Sequence, residues 1–417
     1  MMKEKNRNFV SFDTAYRMIL EAVNECGSEM VSLGEVSGRI LFRDIRSDIN
    51  IPPLDNSAMD GFALRWSDTR GATKDSPVEL QVCGEIQAGG DFSNIRVEKH
   101  SAVRIMTGAP IPDGADAVIP VEHILEDVSR GTIAVLQELQ EHENIRHAGE
   151  DIKAGQVVLT KGTKLRSAET GLLASLNISE IPVYRKPRVA IISTGDEITE
   201  VGDDLKPGQI RNSNAYTLSS EIQKYNGLPH YIGIARDSIS VAKELFSKAL
   251  EYDMVISTGG VSMGKYDLVK DVLMELGAEI SFETIRMKPG KPVIFGSRND
   301  TLVFGLPGNP VSTMVSFIEF VRPALLKMSG ARYLKKPELL AIADNDLNKK
   351  AGRKEFLRGC FSIVDGFAHV SITGPQGSGI LRSMSEANCL IILEEDSTGC
   401  RKGERVLIQL INHEEFA

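Results

Sequence analysis

The sequence predicts a multidomain α/β plus β protein. It has a central doubly wound α/β domain, an inserted β-rich domain, a discontinuous helical/β linker domain and a small C-terminal β-barrel. Three observations carry this. Aliphatic runs at Val189–Ile192 and Met254–Ile256 end in the polar loops Ser193-Thr194-Gly195-Asp196-Glu197 and Ser257-Thr258-Gly259-Gly260-Val261, and helical patterns follow. Such runs read as buried parallel strands in βα units. From Ile51 to Asp151 the chain is rich in Gly, Pro and short β-type runs, and from Lys335 onward β-type runs are punctuated by Gly and Asp.

In chain order, Phe9 to Cys26 has helical spacing (Ala15, Met18, Ile19, Ala22, Val23) and should close at Gly27. Pro52-Pro53 breaks the pattern. The inserted domain should place strands at 78–82, 102–106, 117–119 and 132–135. A helix is expected over 168–176. The α/β domain adds strands at His230–Ile234 and Thr301–Phe304, the latter ending at Pro307-Gly308-Asn309-Pro310. Ser238 stands as the N-cap of a helix bearing Ala242, Leu245, Phe246 and Ala249. Gly227 and Gly277 are placed for the left-handed position after the helices 214–226 and 267–276. Val311 to Met328 should be helical with a kink or split at Pro323. Barrel strands are expected at 339–342, 361–364, 389–393 and 405–408. The expected domains are 1–50 with 152–185, then 51–151, 186–332 and 333–417.

Composition narrows the function. The 42% hydrophobic and 25% charged residues give the balance of a soluble globular protein. No apolar run approaches the ~20 residues of a membrane span, and Met1–Arg7 is not followed by a signal-peptide core. Five scattered cysteines read as free thiols of a cytoplasmic protein. A net charge of −9 argues against nucleic-acid binding. There is no Walker A loop and no GxGxxG opening a helix after a strand. His142 and His147 read as surface histidines rather than zinc ligands.

Ligands of open α/β sheets sit at the carboxyl ends of the strands. Asp196, Glu197, Asp237 and Asp267 fall just past such ends. Converging carboxylates beside phosphates suit Mg²⁺, whereas single members could simply cap a helix or close a turn. Lys288-Pro289-Gly290-Lys291-Pro292 puts two ammonium groups on a stiff turn near Arg286, and Arg353 and Arg358 offer guanidinium forks for a tetrahedral oxyanion. Gly374–Gly379 is either an anion nest or a loop. Asp55–Gly61, Arg104–Pro110 and Asn144–Asp151 are turns or site segments of the inserted domain.

Taken together, these stretches resemble the molybdopterin molybdenumtransferase family of molybdenum-cofactor biosynthesis, relatives of the gephyrin E domain. The resemblance rests on Asp55-Asn-Ser-Ala-Met-Asp-Gly61, Arg104–Pro110, Arg146–Asp151, Ser193–Glu197, Gly208–Asn214, Ser257–Ser262, Lys288–Pro292, Leu306–Ser312 and Gly377–Gly379, in order along the chain. It implies Mg²⁺-dependent insertion of molybdate into adenylylated molybdopterin with release of AMP, the final step of cofactor synthesis. The α/β domain would bind molybdopterin. The protein would be a cytoplasmic homodimer whose cleft is completed by the partner's inserted domain. Contact with the molybdopterin adenylyltransferase and with molybdoenzyme apoproteins or chaperones is implied as well. Lys288, Lys291, Pro292, Ser312, Arg358 and Ser378 would line the molybdate pocket, and Thr194, Gly195, Asp196, Gly259, Gly260, Ser262 and Asn309 would contact substrate. Glu197, Asp237 and Asp267 would hold the metal and act in catalysis with Asp60, Thr107 and Asp151, and Arg146 would bind substrate. Lys265 stands where relatives often carry an acid. The alternative is a non-catalytic molybdopterin-binding or scaffold protein of the same fold.

Overall fold

The computed structural model describes residues 9–90, 92–261 and 268–411. Ser262, Lys265 and Asp267 therefore lie outside the described residues. Contacts divide the chain into two compact units: Met1–Phe42, Gly162–Ser167 and Glu180–Ala417 form one, and Arg43–Lys161 with Ala168–Ser179 the other.

The first unit is built on a seven-stranded sheet in the order Phe9–Val10, Glu279–Ile285, Pro292–Arg298, Thr301–Leu306, Met254–Thr258, Arg188–Thr194, Leu228–Ala235. The last four are parallel neighbours, as the βα pattern requires. Their alternate residues face opposite ways. Val189, Ile191, Met254, Ile256, Leu302 and Phe304 pack against helices Phe12–Ala22 and Ser213–Lys224. Ala190, Ile192, Val255 and Val303 pack against Ile239–Ala249 and Leu268–Glu275. A sheet covered on both faces explains why these strands read as continuous apolar runs. Truncating fully buried Phe246 to Ala would cost about 3–5 kcal/mol.

The antiparallel hairpin Glu279–Arg298 has a direct consequence for the site. Pro292–Arg298 runs against Thr301–Leu306, so its amino end lies at the edge where the parallel strands have their carboxyl ends. The Lys288–Pro292 turn is thereby delivered to that edge.

Several local expectations are corrected. The first helix begins at Phe12, capped by Ser11, whose Oγ accepts from the Thr14 amide at 3.2 Å, and ends at Ala22 well before Gly27. Phe9 and Val10 are instead an edge strand paired with Thr284 and Ile285. Ser238 holds the cap position without a capping bond, and its Oγ faces Ser240 Oγ at 3.1 Å. After Ser213–Lys224 the left-handed residue is Asn226 (φ 62°). Gly227 is needed for space, because a Cβ there would meet Ile222 Cγ2 at 2.5 Å. Gly277 (φ 85°) does occupy the left-handed position.

The long helix splits as Pro323 demands. Pro310–Ser316 and Arg322–Met328 are α, and Phe317–Val321 is a π turn in which the Arg322 amide reaches back to the Phe317 carbonyl. Pro323 then falls in the first turn of a new segment, where no amide is missed.

In the C-terminal region Lys354–Val364, Phe367–Ile372, Glu338–Ala343, Arg405–Leu410 and Cys389–Leu393 close into a five-stranded barrel, the last strand pairing back to the first. Phe367–Ile372 is the strand that the sequence pattern did not reveal. Met287–Lys288 pairs in parallel with Lys354–Glu355, joining barrel to α/β domain. All five cysteines are free.

The second unit holds a six-stranded sheet, ordered Ala117–Pro120, Gly61–Leu64, Ser101–Ile105, Val78–Ile86, Thr132–Val135, Ile124–Asp127. Phe62, Leu64, Leu80, Ile119 and Ile133 form one core cluster, and Ala63, Ile86, Val103, Ile105 and Val118 another. Among the described residues, no helix is long and apolar enough to cross a membrane.

Candidate active site

Three cavities open at the carboxyl edge of the seven-stranded sheet. The first, about 370 Å³, is lined by the strand tips Ser193-Thr194, Thr258-Gly259-Gly260 and Pro307–Pro310, and by Asn212–Asn214. Glu197 and Arg211 also line it, while its floor is tied by uncharged groups. Asn214 Nδ2 donates to Thr258 Oγ1 at 2.7 Å and to the Gly308 carbonyl at 2.8 Å. Thr194 Oγ1 donates to the Thr258 carbonyl at 3.2 Å. Gly259 and Gly260 have φ of 90° and 66°, and a Cβ on them would strike Thr194 O at 2.6 Å and Thr194 Oγ1 at 2.8 Å. Only glycine lets these loops close so tightly. Asn212, which sequence reasoning quoted without a role, is the hub: it accepts from Ser193 Oγ at 2.8 Å and donates to Tyr231 OH at 2.9 Å.

The second cavity, about 400 Å³, is cationic. Lys288, Lys291, Arg353 and Arg358 line it, with Pro292, Asn309, Ser312 and Ser378. Arg358 is fully buried. Its Nε donates to Ser383 Oγ at 3.1 Å and its Nη2 to the Gly377 carbonyl at 3.2 Å, while Nη1 has no partner among the described residues. With no carboxylate beside it, burial alone pushes the guanidinium down to about 10, so it stays charged at neutral pH. Lys288 pairs with buried Glu355 at 3.1 Å. Lys291 lies 5.7 Å from the Phe9 ring centroid. Arg286 is engaged by Glu395 at 3.0 Å and does not line the cavity. Asn309 Nδ2 donates to Ser378 Oγ at 3.1 Å, which fixes the Gly374–Gly379 loop against the Pro-Gly-Asn-Pro turn. That loop also supplies Gln376, whose Oε1 accepts from the Arg358 amide at 2.9 Å. Gln376 and Ser383 were not singled out from sequence, since neither carries a charge or motif that marks it.

The third cavity, about 560 Å³, gathers carboxylates. Glu197 and Asp237 line it with Thr194, Gly195, Gly260, Asp271 and Glu275. Glu197 folds back over Gly195 (φ 131°), where a Cβ would lie 2.4 Å from its Oε2. Asp196 does turn work: its Oδ1 accepts from the Asp237 amide at 3.1 Å, and Arg236 Nη1 donates to the Asp196 carbonyl at 2.9 Å. The structure thus brings Glu197 and Asp237 to one wall, while Asp267 is outside the described residues. Among the described residues no group of three or more His, Cys, Asp or Glu is arranged to hold a metal.

In the second unit, Asp60 Oδ1 accepts from the Thr107 amide at 2.7 Å and from Thr107 Oγ1 at 2.8 Å, which holds its carboxyl below the usual range. Arg146 is exposed in a two-residue strand paired with Asn56–Ser57. Asp151 is exposed, and its amide donates to the Ile51 carbonyl at 3.1 Å. His142 and His147 stack edge-on at 5.0 Å, and His147 Nδ1 lies 3.1 Å from Asp55 Oδ2, so the pair is a packed local contact.

Comparison with known proteins agrees with this architecture. Residues 10–177 match the MoeA N-terminal region (domain I and II), 190–327 a family described as "Probable molybdopterin binding domain", and 341–411 the MoeA C-terminal region (domain IV). A molybdopterin molybdenumtransferase of Haemophilus influenzae is 41% identical over 389 residues, covering 93% of this chain and 94% of that protein. One of Bacillus subtilis is 35% identical over 419 residues, covering 99% and 96%. The crystal structure of the molybdopterin biosynthesis moeA protein from Pyrococcus horikoshii superposes with a TM-score of 0.84 at 35% identity, covering 97% of this chain and 100% of that one. The chain belongs to the MoeA family of molybdopterin molybdenumtransferases.

Proposed function

We propose that this transferase inserts molybdenum from molybdate into adenylylated molybdopterin in a Mg²⁺-dependent reaction, releasing AMP and the finished molybdenum cofactor as the final step of its synthesis. The observation that carries the reading is Arg358: a fully buried guanidinium with a free nitrogen and no carboxylate partner. A buried cation costs several kcal/mol unless an anion joins it. Here Lys288, Lys291, Ser312 and Ser378 line the same cavity, which suits a tetrahedral oxyanion carrying two charges.

The neighbouring strand-tip cavity takes the pterin and nucleotide. Its glycines let backbone approach flat rings and phosphates, Asn214 and Thr258 offer hydrogen bonds, and Glu197 and Arg211 stand in the same lining. Pro292 and Asn309 line both cavities, so a dithiolene reaching past them would meet the oxyanion. The carboxylates fit Mg²⁺, which takes hard oxygen ligands. Glu197, Asp237 and Asp267 would hold it, and the ion would neutralise charge on the phosphoanhydride. Asp60, Thr107, Arg146 and Asp151 would complete the site from the inserted region of a partner subunit in a homodimer.

The test is to supply adenylylated molybdopterin, Mg²⁺ and molybdate and to follow AMP. Release that requires both molybdate and Mg²⁺ is expected. Release indifferent to molybdate would overturn insertion.

A further inference from the structure

A further cavity, about 270 Å³, is walled by helix Phe12–Ala22, the π turn and the barrel strands. Four of its polar side chains, Glu319, Arg322, Lys336 and Gln409, are less than a tenth exposed (6, 8, 5 and 6%). Three of their atoms have no hydrogen-bond partner among the described residues: Glu319 Oε1, Gln409 Oε1 and Arg322 Nε. Buried polar atoms are nearly always paired, so three orphans around one cavity call for an occupant. Among the described residues neither cation forms a close ion pair, although the Glu319 carboxylate acts on both. Arg322 Nη1 donates to the Leu334 carbonyl at 2.8 Å and Lys336 Nζ to the Ile411 carbonyl at 3.1 Å, and both lie over the Tyr225 ring.

The orphans define the chemistry of what would fit. Two are acceptors and one is a donor, and residues three apart on a helix, as Glu319 and Arg322 are, sit about 5–6 Å apart at Cβ. A bare oxyanion would face the acceptors of Glu319 and Gln409. A metal cation would face Arg322 and Lys336. A molecule bearing an ammonium and a carboxylate on adjacent atoms satisfies all three. The rest of the wall is mixed: Phe12, Ile318, Phe356 and Leu407 offer an apolar patch, and Asp13, Tyr16, Lys335, Glu338, Lys354 and Glu394 surround it. The π turn that aims Glu319 inward is a distortion that recurs at functional sites. Burial pushes the Glu319 carboxyl up to about 7, against the pull of Gln409, Lys354 and Arg322, and the Lys336 ammonium down to about 8.

We propose that this cavity binds a free amino acid with an apolar side chain, its ammonium donating to Glu319 and Gln409 and its carboxylate accepting from Arg322. The side chain lies against Phe12, Ile318 and Phe356. The site shares Phe356 with the cationic cavity, but its polar groups lie outside the three cavities above and it does not depend on the reaction assigned to them.

Calorimetric titration of the full chain with L-leucine tests this, beside 4-methylpentanoate, which lacks the ammonium, and 3-methylbutylamine, which lacks the carboxylate. One-to-one binding of leucine is expected, with each half-molecule weaker by about tenfold or more. Gln409→Leu and Glu319→Gln should each weaken leucine by about tenfold while leaving molybdate-dependent AMP release unchanged. If one variant fails to fold, the other variant and the half-molecule series still decide. No heat with leucine at millimolar concentration overturns the proposal, as does binding of 4-methylpentanoate equal to that of leucine, or leucine binding indifferent to both substitutions.

Discussion

The strand-tip and the cationic cavities share Pro292 and Asn309 yet are built by different means. The strand-tip one, whose lining carries one acid and one base, Glu197 and Arg211, is shaped chiefly by backbone: Gly259 and Gly260 pressed on Thr194, with Asn214 bridging two strand tips. The cationic one is shaped by charged side chains, chiefly Arg358, that the surrounding structure holds at an energetic cost. A backbone-built pocket discriminates by shape. A pocket of uncompensated charge discriminates by the charge and geometry of its guest. The reaction proposed above, which joins a large, flat organic molecule to a small inorganic oxyanion, calls for both.

Four experiments would break or sharpen that contrast. Arg358→Ala should have the largest effect: molybdate-dependent kcat/KM falls about 100-fold or more, equivalent to about 3 kcal/mol of lost charge-assisted bonding. Affinity for adenylylated molybdopterin should change little, and equal loss of both would erase the distinction. Gly259→Ala should do the reverse. A Cβ at φ 90° strikes the Thr194 carbonyl, so pterin affinity should drop by about tenfold or more while the molybdate KM holds. Asp237→Asn should raise the Mg²⁺ concentration for half-maximal AMP release by about tenfold, read from a metal titration, with pterin affinity within a few fold. The smallest effect comes from salt. Raising ionic strength should raise the KM for molybdate by a few fold, because screening acts on charge. A molybdate KM indifferent to salt would remove charge as the basis of selection in the cationic cavity.

The strand tips were legible from sequence because burial on both faces produces apolar runs, and the tight loops after them admit little but glycine and small polar residues. The four parallel strands and the barrel follow from those signals. What escaped reading depends on partners distant in the chain. Phe9–Val10 has only two residues to signal a strand, and it exists because Glu279–Ile285 offers an edge. Gln376 and Ser383 become significant only once Arg358 is seen buried between them. Glu319 and Arg322, three apart within a helical run, have the spacing of a solvated charged face, and only the π turn and the packing around them reveal that they point inward.

The parallel pairing of Met287–Lys288 with Lys354–Glu355 makes the cationic cavity a seam, with one bank from each fold. Removing the barrel would take away Arg358, Ser378 and the Glu355 anchor of Lys288 in one stroke, yet leave every residue of the strand-tip cavity in place. Under the function proposed above, grip on the organic partner would need one fold, whereas selectivity for the inorganic one would need both.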